Sequence, residues 1–311
     1  MLKLIIANFA GSLKLFELNT TLEKVLFIVN PISGSSTSVG LEKKISQRLN
    51  PLQFLPIVQY TTCAGDASVI ARKAVAEGVK WIVAVGGDGT VNEVARELVN
   101  SPAVLGIIPR GSGNGMARHL GIAVNINKAI DILNHGRIAT VDYGTLNNTP
   151  FFCTAGIGFD AHVGDKFSRI GGRGFTNYLK TTILEYINYK PKLYRIWVNG
   201  QLIEKEAFLV TIANAAQWGN NAFIAPEADM QDGMLNVTII STFPKYLAPT
   251  IGIRLFNKQI DSCRYVQSFK VKEIQIERPA EDYVHLDGEP SIMGERLEAK
   301  ICPQALKVFV P

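Results

Sequence analysis

The stretch Trp81-Ile-Val-Ala-Val85-Gly86-Gly87-Asp88-Gly89-Thr90-Val91-Asn92-Glu93-Val94 decides the fold. Its first five residues are apolar and read as a buried strand. Val91 to Val99 has helical spacing, so the glycines sit between a strand and a helix. Three glycines let the backbone pass close to a bulky anion and expose N–H groups to it. Thr90 and Glu93 match an N-terminal capping box, which starts the helix at the loop. The positive end of that helix then faces whatever lies over the glycines, and phosphate is the natural guest. A carboxylate, Asp88, among such donors calls for a cation, and magnesium carried by a nucleotide supplies one.

Outward from this stretch, strand and helix signals alternate. Val25 to Val29 and roughly residues 56–61 read as strands, and so does Val104 to Ile108. Leu41 to Leu49, Asp66 to Glu77, a start near Gly115 and Asn127 to Asn134 read as helices. Alternation with short links predicts a parallel sheet covered by helices on both faces. After about residue 140 the texture changes to short alternating runs. Arg195–Val198, Ala207–Ile212, Leu235–Ile240, Phe269–Lys272 and Glu273–Glu277 predict antiparallel strands, interrupted by helical segments near 175–189 and 244–257.

The 311 residues suit two domains. Hydrophobic residues make up 47% and charged residues 19%, which excludes disordered and collagen-like classes. No run of about 18 apolar residues occurs, so no membrane-spanning helix is expected. The apolar start at Met1 is short and broken by Asn8, which argues against a secretory signal. The net charge of +5 is too mild to argue for nucleic acid. Cys63, Cys153, Cys263 and Cys302 are isolated singletons, which fits a reducing cytoplasm better than a zinc or disulfide framework.

Two further polar, glycine-rich loops end neighbouring strands: Asn30-Pro31-Ile-Ser33-Gly34 and Pro109-Arg110-Gly111-Ser112-Gly113-Asn114-Gly115. In an open parallel sheet ligands bind at the carboxyl edge, so three such loops together predict a nucleotide site. Thr61 and Thr62 end the remaining strand and offer hydroxyls. No P-loop spelling occurs, and Gly156-Ile-Gly158 lies in the wrong half to be a dinucleotide box. Those two glycines are read as closely packed backbone.

With these loops in place, the chain resembles the diacylglycerol kinase catalytic-domain family, which includes sphingosine kinases and bacterial soluble lipid kinases. The matching residues are Asn30-Pro-x-Ser-Gly34, Gly86-Gly-Asp-Gly-Thr-Val-Asn-Glu93, Gly111-Ser-Gly-Asn114 with Ala117-Arg118, Gly156-x-Gly-Phe-Asp-Ala161, Asp229-x-x-Asp-Gly233 and Leu286-Asp-Gly-Glu289. They occur in the family's order over roughly residues 25–290. The resemblance implies an α/β nucleotide domain, 22–140, and a β-sandwich domain, 141–302, with the active site in the cleft between them. A tail at about 303–311 is able to return to the first domain. The resemblance also implies ATP held by Asn30, Pro31, Ser33, Gly34, Thr62, Gly86, Gly87, Asp88, Gly89, Thr90, Asn92, Glu93, Gly111, Ser112 and Asn114, with Mg2+.

It implies that Asp287 and Glu289 supply catalysis, because a lipid hydroxyl needs a carboxylate to take its proton. The resemblance leaves open which is the base; Glu289 is favoured, with Asp287 shared between base and metal. Asp229, Asp232 and the Met234 region resemble a second, structural magnesium site. Ser112 and Gly115 stand where many bacterial members have Thr and Asp, which leaves the lipid open between a diacylglycerol-like and a sphingoid-like acceptor. The expected partners are ATP and a lipid at a membrane surface, with a cytoplasmic, peripheral location. A homodimer is left open.

Ala161 to Arg195 carries seven basic and two acidic residues interleaved with apolar ones. An ordinary helix with a solvated cationic face is the favoured reading there, and contact with an anionic membrane the other. His119, His135, His162 and His285 have no metal-ligand spacing, and His285, just before the catalytic segment, is placed to tune it. Two rival functions are weighed. An NAD kinase shares Gly-Gly-Asp-Gly, but Arg110-Gly-Ser-Gly-Asn114 has the lipid-kinase form. A non-catalytic lipid- or nucleotide-binding protein is opposed by the retained Asp88, Asp287 and Glu289.

Overall fold

The computed structural model describes residues 4–6, 14–16, 22–34, 40–170, 182 and 184–311. Leu4–Ile6 (β1) and Lys14–Phe16 (β2) pair as a small antiparallel hairpin apart from the main sheet. The first domain then runs β3 (Glu23–Val29), α1 (Leu41–Arg48), β4 (Phe54–Tyr60), α2 (Asp66–Ala76), β5 (Trp81–Gly86), α3 (Asp88–Leu98), β6 (Val104–Pro109), α4 (Gly115–His119) and α5 (Ile126–His135). Strands β4, β3, β5 and β6 lie side by side and parallel, in that order. The apolar runs of β5 and β6 and residues Val25–Val29 of β3 are buried on both faces, as a sheet covered on two sides requires, while β4 at the edge is mostly half-buried or exposed.

The second domain contains β7 (Arg137–Leu146), β8 (Thr149–Phe151), β9 (Thr154–Gly158), α6 (Phe159–Ile170), β10 (Lys192–Val198), β11 (Gln201–Ala213), β12 (Leu235–Ser241), α7 (Ala248–Phe256), β13 (Val266–Val271), β14 (Glu273–Glu277), β15 (Asp282–Leu286), β16 (Glu289–Met293) and β17 (Arg296–Val310). All pairings within it are antiparallel. Most of the helix expected over 175–189 lies outside the described residues; residues 184–188 are helical.

The two domains share one sheet through β17. Its first half pairs with β14, and its end runs parallel to β6, with Lys307 opposite Val104. Leu306, Val308, Phe309 and Val310 are buried in the core of the first domain. The strand shifts register against β7 between Cys302 and Leu306. At that shift Asp142, fully buried, accepts N–H bonds from Gln304 at 2.7 Å and Gly233 at 2.8 Å. A buried carboxylate that satisfies freed backbone donors holds the bulge in place.

The expected capping box does not form. Helix α3 begins at Asp88, with an extended Gly87 as its cap and no side-chain cap bond. Glu93 turns instead to the neighbouring helix, where its carboxylate accepts from Gly65 N at 3.0 Å and Ala67 N at 3.1 Å. The orphan donors at the start of α2 compete for the same carboxylate and take it. Thr90 Oγ1 accepts from Asn30 Nδ2 at 3.2 Å, which ties the first loop to α3.

Candidate active site

Each loop of the first domain is held by its neighbour. Asn30 forms an Asx turn to Ile32 N, and its carbonyl accepts from the Ser33 hydroxyl at 2.8 Å. Gly34, at φ +78°, lies where a Cβ would come within 2.7 Å of Arg110 O. A Cβ on Gly111 would meet Gly87 Cα at the same distance, 2.7 Å. None of Gly86, Gly87 and Gly89 has a positive φ. Close backbone approach, not a left-handed turn, therefore demands glycine at Gly87 and Gly111.

Asp88 sits at the hub. Its two oxygens accept from Asn114 N at 2.8 Å and Gly115 N at 2.6 Å, so it caps α4 from the side. Burial pushes its carboxyl up from the ordinary range, against those two bonds, the residue's own N–H and the nearby Arg118 charge. Asn114, itself left-handed at φ 51°, closes its own loop by bonding Gly111 N and Gly111 O. Arg118 braces the loop through Gly113 O at 3.0 Å. Thr62 is not turned into the cleft as a free hydroxyl: its N–H and Oγ1 both donate to Asp66 Oδ2, at 2.7 and 2.6 Å.

The second domain closes over this edge. A cavity of about 370 Å³ lies between the two, and Asp88, Asn92, Ser112, Asp287 and Glu289 are among its lining residues. The carboxylates on the turn after β15 differ sharply. Asp287 accepts from Asn92 Nδ2 at 2.5 Å, Phe152 N at 2.8 Å, Cys153 N at 2.7 Å and Thr154 N at 2.9 Å. It is a clasp between α3 of one domain and β9 of the other. Burial lifts its carboxyl, with the three backbone bonds opposing.

Glu289 is at the mouth and faces α3: a Cβ on Gly89 would lie 3.3 Å from its Oε1. Its carboxyl is also raised, by burial first, with Arg96 opposing and the Asp287 and Glu93 charges adding. Carboxyls raised above their ordinary range at a cleft are suited to proton transfer.

The residues Asp229, Asp232 and Met234 lie on a turn away from this cavity. Asp229 accepts from Gln231 N at 3.0 Å, Asp232 accepts from Met234 N at 2.9 Å, and Asp232 pairs with Lys270 Nζ at 2.6 Å. No group of three or more His, Cys, Asp or Glu side chains suited to a metal occurs among the described residues.

Several cleft residues carry no sequence signal of their own. Trp218, Gly219, Asn220 and Ala222 form the wall opposite Gly113, where Asn220 N donates to Gly113 O at 3.0 Å. The backbone donors of residues 152–154, which hold Asp287, are invisible to a side-chain reading. Cys153 also lines the cavity, and burial with the nearby Asp287 and Asp88 pushes its thiol well above the ordinary value.

Comparison with known proteins agrees with this architecture. Residues 24–146 match the diacylglycerol kinase catalytic domain, and residues 153–310 match the YegS C-terminal NAD kinase β-sandwich-like domain. The chain is 29% identical over 312 residues to the diacylglycerol kinase of Mycobacterium tuberculosis, covering 97% of this chain and 98% of that one. It is 31% identical over 261 residues to a Pseudomonas aeruginosa protein provisionally named a YegS-like lipid kinase, covering 82% of this chain and 84% of that one. A solved Bacillus anthracis structure, provisionally described as a diacylglycerol kinase, superposes with a TM-score of 0.73 at 27% identity, over 93% of this chain and 98% of that one. With α/β and β-sandwich domains in this order, the chain belongs to the diacylglycerol kinase catalytic-domain family of lipid kinases.

Proposed function

We propose that the protein transfers the γ-phosphoryl group of ATP to the hydroxyl of a diacylglycerol-like or sphingoid-like lipid presented at a membrane surface. The observation that carries this reading is the Glu289 carboxylate beside Gly89, at the N-terminus of α3. A phosphate chain lying over the Gly86–Gly89 and Gly111–Ser112 loops would meet backbone N–H groups and the positive helix end. Its γ-phosphorus would then face the second domain, where Glu289 waits.

The hydroxyl oxygen forms a bond to the γ-phosphorus as the bond to the β–γ bridging oxygen breaks. Glu289 takes the hydroxyl proton, and the electron pair of the broken bond leaves on ADP. Asp287 has both oxygens occupied by donors, so it fixes the turn and the domain junction rather than accepting the proton.

Magnesium fits at one of the two expected places. Asp88 would hold the ion: its oxygens accept from Asn114 N and Gly115 N, and a carboxylate so placed has lone pairs left over for a hard cation. The chemistry it would supply there is neutralisation of the charge that develops on the transferred group. The Asp229–Asp232 turn does not fit as it stands, because Lys270 already neutralises Asp232.

The test is label transfer from γ-labelled ATP to diacylglycerol, monoacylglycerol, sphingosine and ceramide in mixed micelles with magnesium. Label in one lipid is the expected result. Tight ATP binding with no label in any lipid would overturn the reading in favour of a binding protein.

A further inference from the structure

Beneath the carboxylate-bearing turn lies a buried polar pair that the phosphate loops do not touch. Strands β11, β9 and β15 are adjacent, and their register sets Thr211 opposite Gly156 and Gly156 opposite His285. Cross-strand neighbours point to the same face, so the missing side chain of Gly156 leaves a hollow between Thr211 and His285. Asp160, in the first turn of α6, fills it. A Cβ on Gly156 would collide with both the Asp160 carboxylate and the His285 ring. Asp160 and His285 are 7% and 4% exposed, and both line the cavity together with Asp287 and Glu289.

The hydrogen bonds assign the ring. Asp160 Oδ1 accepts from Ala161 N at 2.8 Å. Its Oδ2 accepts from Thr211 Oγ1 at 3.1 Å and lies 3.1 Å from His285 Nε2. A carboxylate only accepts, so Nε2 carries the proton. On the other side of the ring, Gly288 N–H points at His285 Nδ1 at 3.4 Å, and a backbone amide only donates. Gly288 lies between Asp287 at φ 52° and Glu289, so this contact grips the turn from below.

We propose that Asp160 and His285 form a positioning device: Asp160 holds His285 in the Nε2–H tautomer, and the ring's Nδ1 lone pair holds the Gly288 amide and with it the reach of Glu289. The inference rests on the reading of Glu289 as the base. Without an acceptor at Nε2 the ring can carry its proton on Nδ1 instead. Two donors then face each other across Nδ1 and Gly288 N, and the turn shifts. Asp160→Asn forces this change. The amide oxygen is needed at Ala161 N, so its NH2 group occupies the Oδ2 place and donates to Nε2. This is the logic by which an Asp orients a catalytic imidazole in other enzymes.

The first measurement needs no variant. In 15N-histidine-labelled protein, the His285 ring is expected with Nε2 protonated and Nδ1 bare at neutral pH; an Nδ1–H or doubly protonated ring overturns the proposal. In Asp160→Asn the tautomer is expected to invert, the Gly288 amide resonance to move, and kcat to fall roughly 10- to 100-fold. ATP affinity is expected to stay within about two-fold, since neither residue meets the phosphate loops. Thr211→Val is the structural control. It also removes a hydrogen bond from Asp160 but leaves the ring's acceptor, and its kcat is expected within about three-fold of the parent. An inverted tautomer with unchanged kcat, or equal kcat losses in the two variants, overturns the proposal. Glu289→Gln, measured alongside, separates the two ideas: if it turns over normally the base assignment falls, while the tautomer and the Gly288 resonance still report on the pair.

Discussion

The wall of the cleft built from residues 22–140 presents mainly backbone, whereas the wall built from the turn at 285–289 presents carboxylates. The first works through close approach: Gly87 against Gly111, Gly34 against Arg110, and Asp88 bonded to the N–H groups of Asn114 and Gly115. The second works by contrast between neighbours. Asp287 is surrounded by donors, while Glu289, two residues away, stands at the mouth with its carboxyl raised. Two residues of the same chemistry are thus set apart, one as a clasp and the other as the proposed base, by how many hydrogen bonds each has already made.

The sharpest way to break this contrast is Asp287→Asn. An amide places an NH2 group among donors, so about 3 kcal/mol of stability should be lost, read by denaturant unfolding. A variant as stable as its parent would mean that Asp287 is no clasp. Gly113→Ala attacks the other wall. Its Cβ would lie 2.7 Å from Asp88 Oδ2, and roughly 1–3 kcal/mol with a matching loss of ATP affinity is expected. Unchanged ATP binding by calorimetry would show that the loop has room to spare.

Glu289→Gln should behave in the opposite sense from Asp287→Asn when stability is measured. The folded protein raises the Glu289 carboxyl above its unfolded value, so the folded state holds the proton more tightly. The stability this contributes is present at low pH and is lost as pH rises through the folded value. Removing the ionisable group should therefore leave the variant equal to the parent in acid and slightly more stable near neutrality, in melts across pH. A variant that is less stable at neutral pH would contradict the raised carboxyl. The smallest effect is expected at Thr62→Val. Its hydroxyl already serves Asp66, so ATP affinity should change by no more than about three-fold, or roughly 0.7 kcal/mol. A loss beyond ten-fold would place that hydroxyl on the nucleotide.

Much of the first domain was legible because its signals are local. A buried strand such as Trp81–Val85 announces itself by composition, and glycine loops at strand ends mark the ligand edge. The capping box at Thr90 and Glu93 misled for a physical reason: a carboxylate bonds whichever orphan N–H groups lie nearest in space, and those belonged to α2. The return of the tail at about 303–311 to the first domain was expected from the resemblance, but not that it continues one strand, β17, whose fifteen residues serve two partners in turn and break register between Cys302 and Leu306. The Leu-Asp-Gly-Glu segment was visible as a motif with Glu289 the favoured base, but the division of hydrogen bonds between its two carboxylates was not. That division depends on backbone amides at residues 152–154 and on Asn92, which is 195 positions away.

The central claim, that Glu289 and not Asp287 accepts the proton of a lipid hydroxyl, is tested most directly by phosphoryl transfer in Glu289→Gln with ATP affinity measured on the same sample. The account predicts a fall in kcat of roughly 10²- to 10⁴-fold with ATP binding within about two-fold of the parent. Turnover within a few-fold of the parent, at unchanged ATP affinity, would contradict it.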